Sequence, residues 1–151
     1  MEEFIMTQEV FDRLWQRVQG AEPSPPRRND ADTLRGFLDE TAQALVLERR
    51  LKARCAELSP LCRETFSRLR RLRAAYYLQT GERHCPPETC SVRGGLLPDL
   101  RADCLASRAR AGRYAAAAKT APDALRVLYE TLAAEEQTHA ERLAELLCRL
   151  L

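Results

Sequence analysis

Proline and glycine placement constrains this chain more than any other feature. Pro23, Pro25 and Pro26 lie in one cluster, Pro60 stands alone, Pro86, Pro87 and Pro98 fall in a second irregular stretch, and Pro122 comes last. Proline lacks an amide donor and restricts the residue before it, so each position starts or interrupts a helix and none continues one. The intervals between them are long and rich in Ala, Leu, Glu and Arg, and the chain has only 6 glycines, so the fold class is all-α. With 151 residues, 45% of them hydrophobic, one domain can build a core.

Val10, Phe11, Leu14, Trp15 and Val18 recur at helical spacing and give an amphipathic helix over 1–20, ended by Gly20. A proline-rich linker follows over 21–31. Leu34, Phe37, Leu38, Leu45 and Leu51 continue the helical period from about residue 32 to 55. Ser59 and Pro60 then supply a capping side chain and an early proline for a helix that stops at Gly81. The stretch 81–98 holds three prolines and three glycines and reads as a crossing loop. A helix over about 99–119 and a last one from Thr120 and Pro122 almost to Leu151 complete the chain. The expected arrangement is two helical hairpins joined by one long connection, an antiparallel four-helix bundle over 32–151.

Lys and Arg number 24 against 22 Asp and Glu, a balance that implies neither a nucleic-acid nor a membrane partner. Arg63, Arg68, Arg70, Arg71 and Arg73 make one helix locally basic, but Glu64 interrupts the run and a solvated face is expected. No apolar run is long enough to cross a membrane and the start lacks the pattern of an export signal, so a cytoplasmic protein with reduced thiols is expected. No Gly-rich phosphate loop and no nucleophile with a partnered base are evident, and no catalytic residue is assigned.

The chemistry-bearing motif is Glu136-x-x-His139 in the last helix, which sets a carboxylate and an imidazole one turn apart on one face. A weak internal repeat relates this helix to the second of the bundle. At an offset of 71 residues Leu61 matches Leu132, Glu64 matches Glu135 and Leu72 matches Leu143, while Thr65 takes the place of Glu136 and Arg68 that of His139.

On these residues, and on Leu72-Arg-Ala-Ala-Tyr-Tyr-Leu-Gln-Thr-Gly-Glu-Arg83, the chain resembles the ferritin-like superfamily, in particular its rubrerythrin-type branch and small bacterial ferritin-like domain proteins. The resemblance implies a di-metal centre made of a glutamate from the first helix, a glutamate from the third, and a Glu-x-x-His from each of the others. Carried across, it retains Glu40, Glu136 and His139, with Glu48 as the other register of the first helix, and finds the ligands replaced at Thr65, Arg68 and Ser107. Arginine offers no lone pair to a metal. The expectation is therefore a protein without a cofactor that acts by binding or assembly, with Arg68 standing in for the lost metal as the partner of Glu40 or Glu136.

Two other readings remain open at this point. A reduced site of Glu40, Glu136 and His139 would hold iron or manganese in an oxidoreductase or metal-storage protein that handles peroxide or oxygen. Alternatively, His84, Cys85 and Cys90 in the crossing loop would offer nitrogen and sulfur to zinc. Phe4, Phe11 and Trp15 give the first helix a large apolar load, which must be covered either by its own bundle or by a second subunit in a homodimer.

Overall fold

The computed structural model describes residues 28–92 and 94–151, together with Asp12. The amphipathic helix expected over 1–20, and most of the linker after it, lie outside these residues. Four long helices make up the described chain: α1 over Arg28–Lys52, α2 over Ser59–Thr80, α3 over Leu96–Thr120 and α4 over Asp123–Leu150. A short 3₁₀ turn, Ala56–Leu58, leads into α2, and no strand occurs among the described residues. None of the described helices is long and apolar enough to cross a membrane.

The helix boundaries refine the sequence expectations. The helix α1 starts at Arg28, inside the stretch assigned to the linker. Ser59 is not the cap but the first residue of α2: Leu58 stands at the cap position, and the Ser59 amide bonds the carbonyl of Ala56 in the 3₁₀ turn. Thr120 likewise ends α3, and Pro122 stands before α4, its carbonyl accepting from the amide of Arg126 at 2.8 Å. Gly81 does stop α2, at φ +73°, with its amide bonded to the carbonyl of Tyr77 at 2.7 Å. That left-handed conformation is where glycine closes a helix at no steric cost.

Side-chain pairs fix the topology. Thr65 meets Glu48 while the Tyr76 hydroxyl accepts from Arg35, so α1 and α2 are antiparallel. Arg110 meets Glu136 and the Cys104 thiol donates to the carbonyl of Ala140, so α3 and α4 are antiparallel too. Arg71 with Glu135 and Arg142 with Glu64 set α2 against α4 in opposite directions. The helices α2 and α3 therefore run the same way, and residues 81–95 must return along the whole bundle. An α2 of 22 residues is about 33 Å long, within the roughly 50 Å reach of that connection. At its start His84 Nε2 lies 2.7 Å from Asp39 Oδ1, and further on Cys90 packs against the opposite end, beside Leu47, Leu51, Leu58 and Leu61.

The interior is layered. One apolar cluster centres on Leu34, Leu38, Leu72, Tyr114, Leu125 and Leu132, with Phe37 stacked on Tyr114 at 4.1 Å between ring centroids. The other gathers Leu51, Leu58, Leu100, Leu143 and Leu146. Between them each helix contributes charged or hydroxyl side chains at one level, which makes the polar site described next.

Candidate functional site

Four helices supply the layer: Glu48 from α1, Thr65 and Arg68 from α2, Asp103, Ser107 and Arg110 from α3, and Glu136 and His139 from α4. All eight are buried, none more than 3% exposed. Buried charges are tolerated only when paired and hydrogen-bonded, and Glu48, Arg68, Arg110, Glu136 and His139 all stand in ion pairs.

Glu136 is the hub of one half. Arg68 Nε stands 2.9 Å from its Oε2, and Arg110 donates from Nη2 at 2.9 Å and Nε at 3.3 Å to its Oε1. Burial pushes the Glu136 carboxyl up, but Arg110, Arg68 and His139 together outweigh it and leave it below the usual carboxylate range. Arg68 also donates from Nη2 to Thr65 Oγ1 at 3.2 Å, and the Thr65 hydroxyl in turn donates to Glu48. The two halves of the layer are thus one connected network.

Glu48 is the hub of the other half. His139 Nε2 lies 3.2 Å from Glu48 Oε2, and His139 Nδ1 lies 3.9 Å from Glu64 Oε2 at the rim. Burial alone would push the imidazole down, yet the contacts with Glu48 and Glu64 prevail and push it up to about 9, so it is an imidazolium at neutral pH. Asp103 is held well above the usual range by burial and by the neighbouring Glu48, to which it is hydrogen-bonded. Glu64 at the edge is shared between His139 and Arg142, which ties the layer to the rim of the bundle.

Each residue singled out in the sequence now has a place. Glu136 and His139 are in the layer, and so are the replaced positions Thr65, Arg68 and Ser107. Ser107 makes no hydrogen bond among the described residues. Glu40 is not brought together with them: it is partly exposed and forms a bidentate pair with Arg113 at 2.8 and 2.5 Å. Glu48 takes the interior position instead. Eight residues along a helix are about 80° of rotation and about 12 Å of rise, enough to move one of the two glutamates to the rim.

Of the loop residues, His84 is engaged by Asp39, Cys85 is exposed and Cys90 packs on the apolar cluster beyond the layer. They do not converge on a point. Among the described residues the one group of metal-ligating type that does converge is Glu48, Asp103 and His139, whose donor atoms lie within 4.8 Å of one another. All six cysteines are free thiols.

Asp103 and Arg110 escaped the reading of the sequence. They flank Ser107 by four and three residues on the stripe that also carries Leu100, Cys104, Ala111 and Tyr114. Charges at core-facing spacing were the available signal, in a helix where arginine is also common on the solvent side.

The 71-residue offset found in the sequence has a structural counterpart. It maps Glu64 onto Glu135 and Arg71 onto Arg142, and two of the ion pairs between α2 and α4 are Arg142 with Glu64 and Arg71 with Glu135. Each pair is the image of the other, as a pseudo-twofold relation between the helices requires.

No protein-family model, no curated protein and no solved structure matches this chain.

Proposed function

We propose that this chain is a ferritin-like bundle in which arginine side chains have taken the place of metal ions, and that it acts by binding or assembly and not by redox chemistry. The observation that carries this is Glu136 held between Arg68 and Arg110, both its oxygens engaged by guanidinium nitrogens. In a bundle that holds two metal ions such a glutamate would ligate, and the ions would supply the positive charge. Here the chain supplies it. The single long crossover and the exchanged pairs of α2 and α4 support the ferritin-like reading, since that arrangement has one such connection and two similar halves.

A two-ion site does not fit these residues. Thr65, Arg68 and Ser107 stand at three of the ligand positions that the resemblance implies, and both Glu136 oxygens are already engaged. Assembly of two copies through the amino-terminal segment remains part of the proposal, on the apolar load of Phe4, Phe11 and Trp15.

The convergence of Glu48, Asp103 and His139 favours a second reading, a site for one ion of the manganese, iron or zinc class, with two oxygens and one nitrogen as donors. Such an ion would compete with protons for His139, raised to about 9, and for Asp103, also raised, so its uptake would weaken as pH falls. Metal content of the full chain purified without chelator decides between the two. Substoichiometric metal, and an unfolding midpoint unmoved by EDTA, is the expected result. One equivalent of manganese or iron per chain, lost in His139→Ala, would establish the second reading.

A further inference from the structure

Among the described residues, Arg68, Arg71, Arg110, Arg113, Arg126, Arg142 and Arg149 form ion pairs with carboxylates. Arg49, Arg63, Arg70 and Arg73 are among several exposed arginines that form none. Three of them share one stripe of α2 with two aromatic residues, in the order Arg63, Phe66, Arg70, Arg73, Tyr77. The steps of three and four residues keep all five on one face of the helix.

Phe66 is 39% and Tyr77 52% exposed, unusual for aromatic side chains of a helix whose other face is in the core. The Arg49 guanidinium, from α1, stands 5.7 Å from the Phe66 ring centroid and that of Arg70 stands 5.9 Å from it. These cation-π contacts hold two cations in place beside an exposed ring before any ligand arrives. Glu64, the one carboxylate in α2, lies on another side of the helix with Arg142 and His139, so the stripe has no acidic member. The basic run that the sequence presented as a solvated face is therefore two things: Arg68 and Arg71 turn inward, and the rest line up with aromatic rings.

We propose that this face of α2, with Arg49, binds single-stranded nucleic acid, the guanidiniums taking phosphates and Phe66 and Tyr77 stacking on bases. Unpaired cations are complementary to a polyanion of any kind, but rings interleaved with them suit a strand whose bases are free to stack. From Arg63 to Tyr77 the stripe is about 21 Å long, room for a few nucleotides. This names a ligand for the binding role proposed above but rests only on the surface, so metal content and oligonucleotide binding succeed or fail separately.

Titration of the full chain into a fluorescein-labelled 15-nucleotide oligo(dT), read by anisotropy, tests it. Saturable binding is expected, with log affinity falling against log salt at a slope of about −3 if all four arginines meet phosphates, roughly fiftyfold between 50 and 200 mM. The triple variant Arg63→Ala, Arg70→Ala, Arg73→Ala should bind at least tenfold more weakly at low salt with a flattened slope. Phe66→Leu should weaken binding by about tenfold and leave the slope unchanged. Thermal unfolding checks that the triple variant folds, and Arg73→Ala alone, which should reduce the slope by about 0.7, serves if it does not. Absence of saturable binding at 50 mM salt, or affinity indifferent to these substitutions, overturns the proposal. So does tighter binding to duplex DNA, to phosphatidylserine vesicles or to poly-glutamate than to oligo(dT).

Discussion

Glu136 shows how a single residue can keep its position while its chemical setting changes. Its neighbours decide what it can do, and here they are two guanidiniums in fixed geometry. Removing one member of a buried pair leaves an uncompensated charge, so Arg68→Ala should lower stability by about 3 kcal/mol in urea unfolding, with Arg110 limiting the loss. The triple variant Arg68→Met, Arg110→Met, Glu136→Leu should recover most of it, since Glu136 and both its guanidinium partners are then removed together. A loss that persists in the triple variant would mean that packing, not charge, was broken. The two glutamates of α1 make a sharper contrast. Glu48→Gln should be strongly destabilising, whereas Glu40→Gln, at a half-exposed pair with Arg113, should change stability by about 0.5 kcal/mol or less in the same measurement. An equal effect at both sites would place the interior register elsewhere.

At the scale of the helices, the breakers in the sequence carried most of the information. Gly81, Pro60 and Pro122 mark real ends or beginnings, because a missing donor or a left-handed residue acts locally and needs no tertiary context. The caps were less legible. Ser59 and Thr120 have suitable side chains, but Ser59 lies inside α2, behind Leu58 at the cap position, and Thr120 is the last residue of α3, with Pro122 at the cap position of α4. Gly81→Ala meets open space, so its cost is conformational alone, about 1 kcal/mol, to be read from the urea midpoint. A neutral substitution there would indicate that the end of α2 relaxes. The interior of α3 was the hardest element to read, since Asp103 and Arg110 look from sequence like members of a charged face. Only the partner helices reveal that Glu48 and Glu136 stand opposite them. A choice between Glu40 and Glu48 likewise depends on helix rotation, which no local rule supplies.

The whole molecule carries a layer of paired charges between two apolar clusters, and its stability must follow pH on both sides. His139 is raised from its ordinary 6.5 to about 9, so its contribution is complete below 6.5 and disappears as pH rises through 9. Asp103, raised by burial, tilts stability in the same direction. Glu136 is lowered despite its burial, and Glu64 is lowered by His139 and Arg142, so their contributions hold above 4.5 and fade as pH falls further. Melting temperature should therefore be highest between about pH 5 and 6.5 and decline toward 9, with the His139 share on the order of 3 kcal/mol. In His139→Asn that decline should shrink; an unchanged profile would exclude His139 as its source. The layer also has a mechanical consequence. Leucines slide past one another with little penalty, and four smooth helices could settle at several heights. A slip of one turn, about 5.4 Å, would carry the charges of one helix into hydrocarbon and leave their partners facing leucine. The paired charges thus work like a key in a keyway, admitting one vertical alignment of the four rods and rejecting its neighbours.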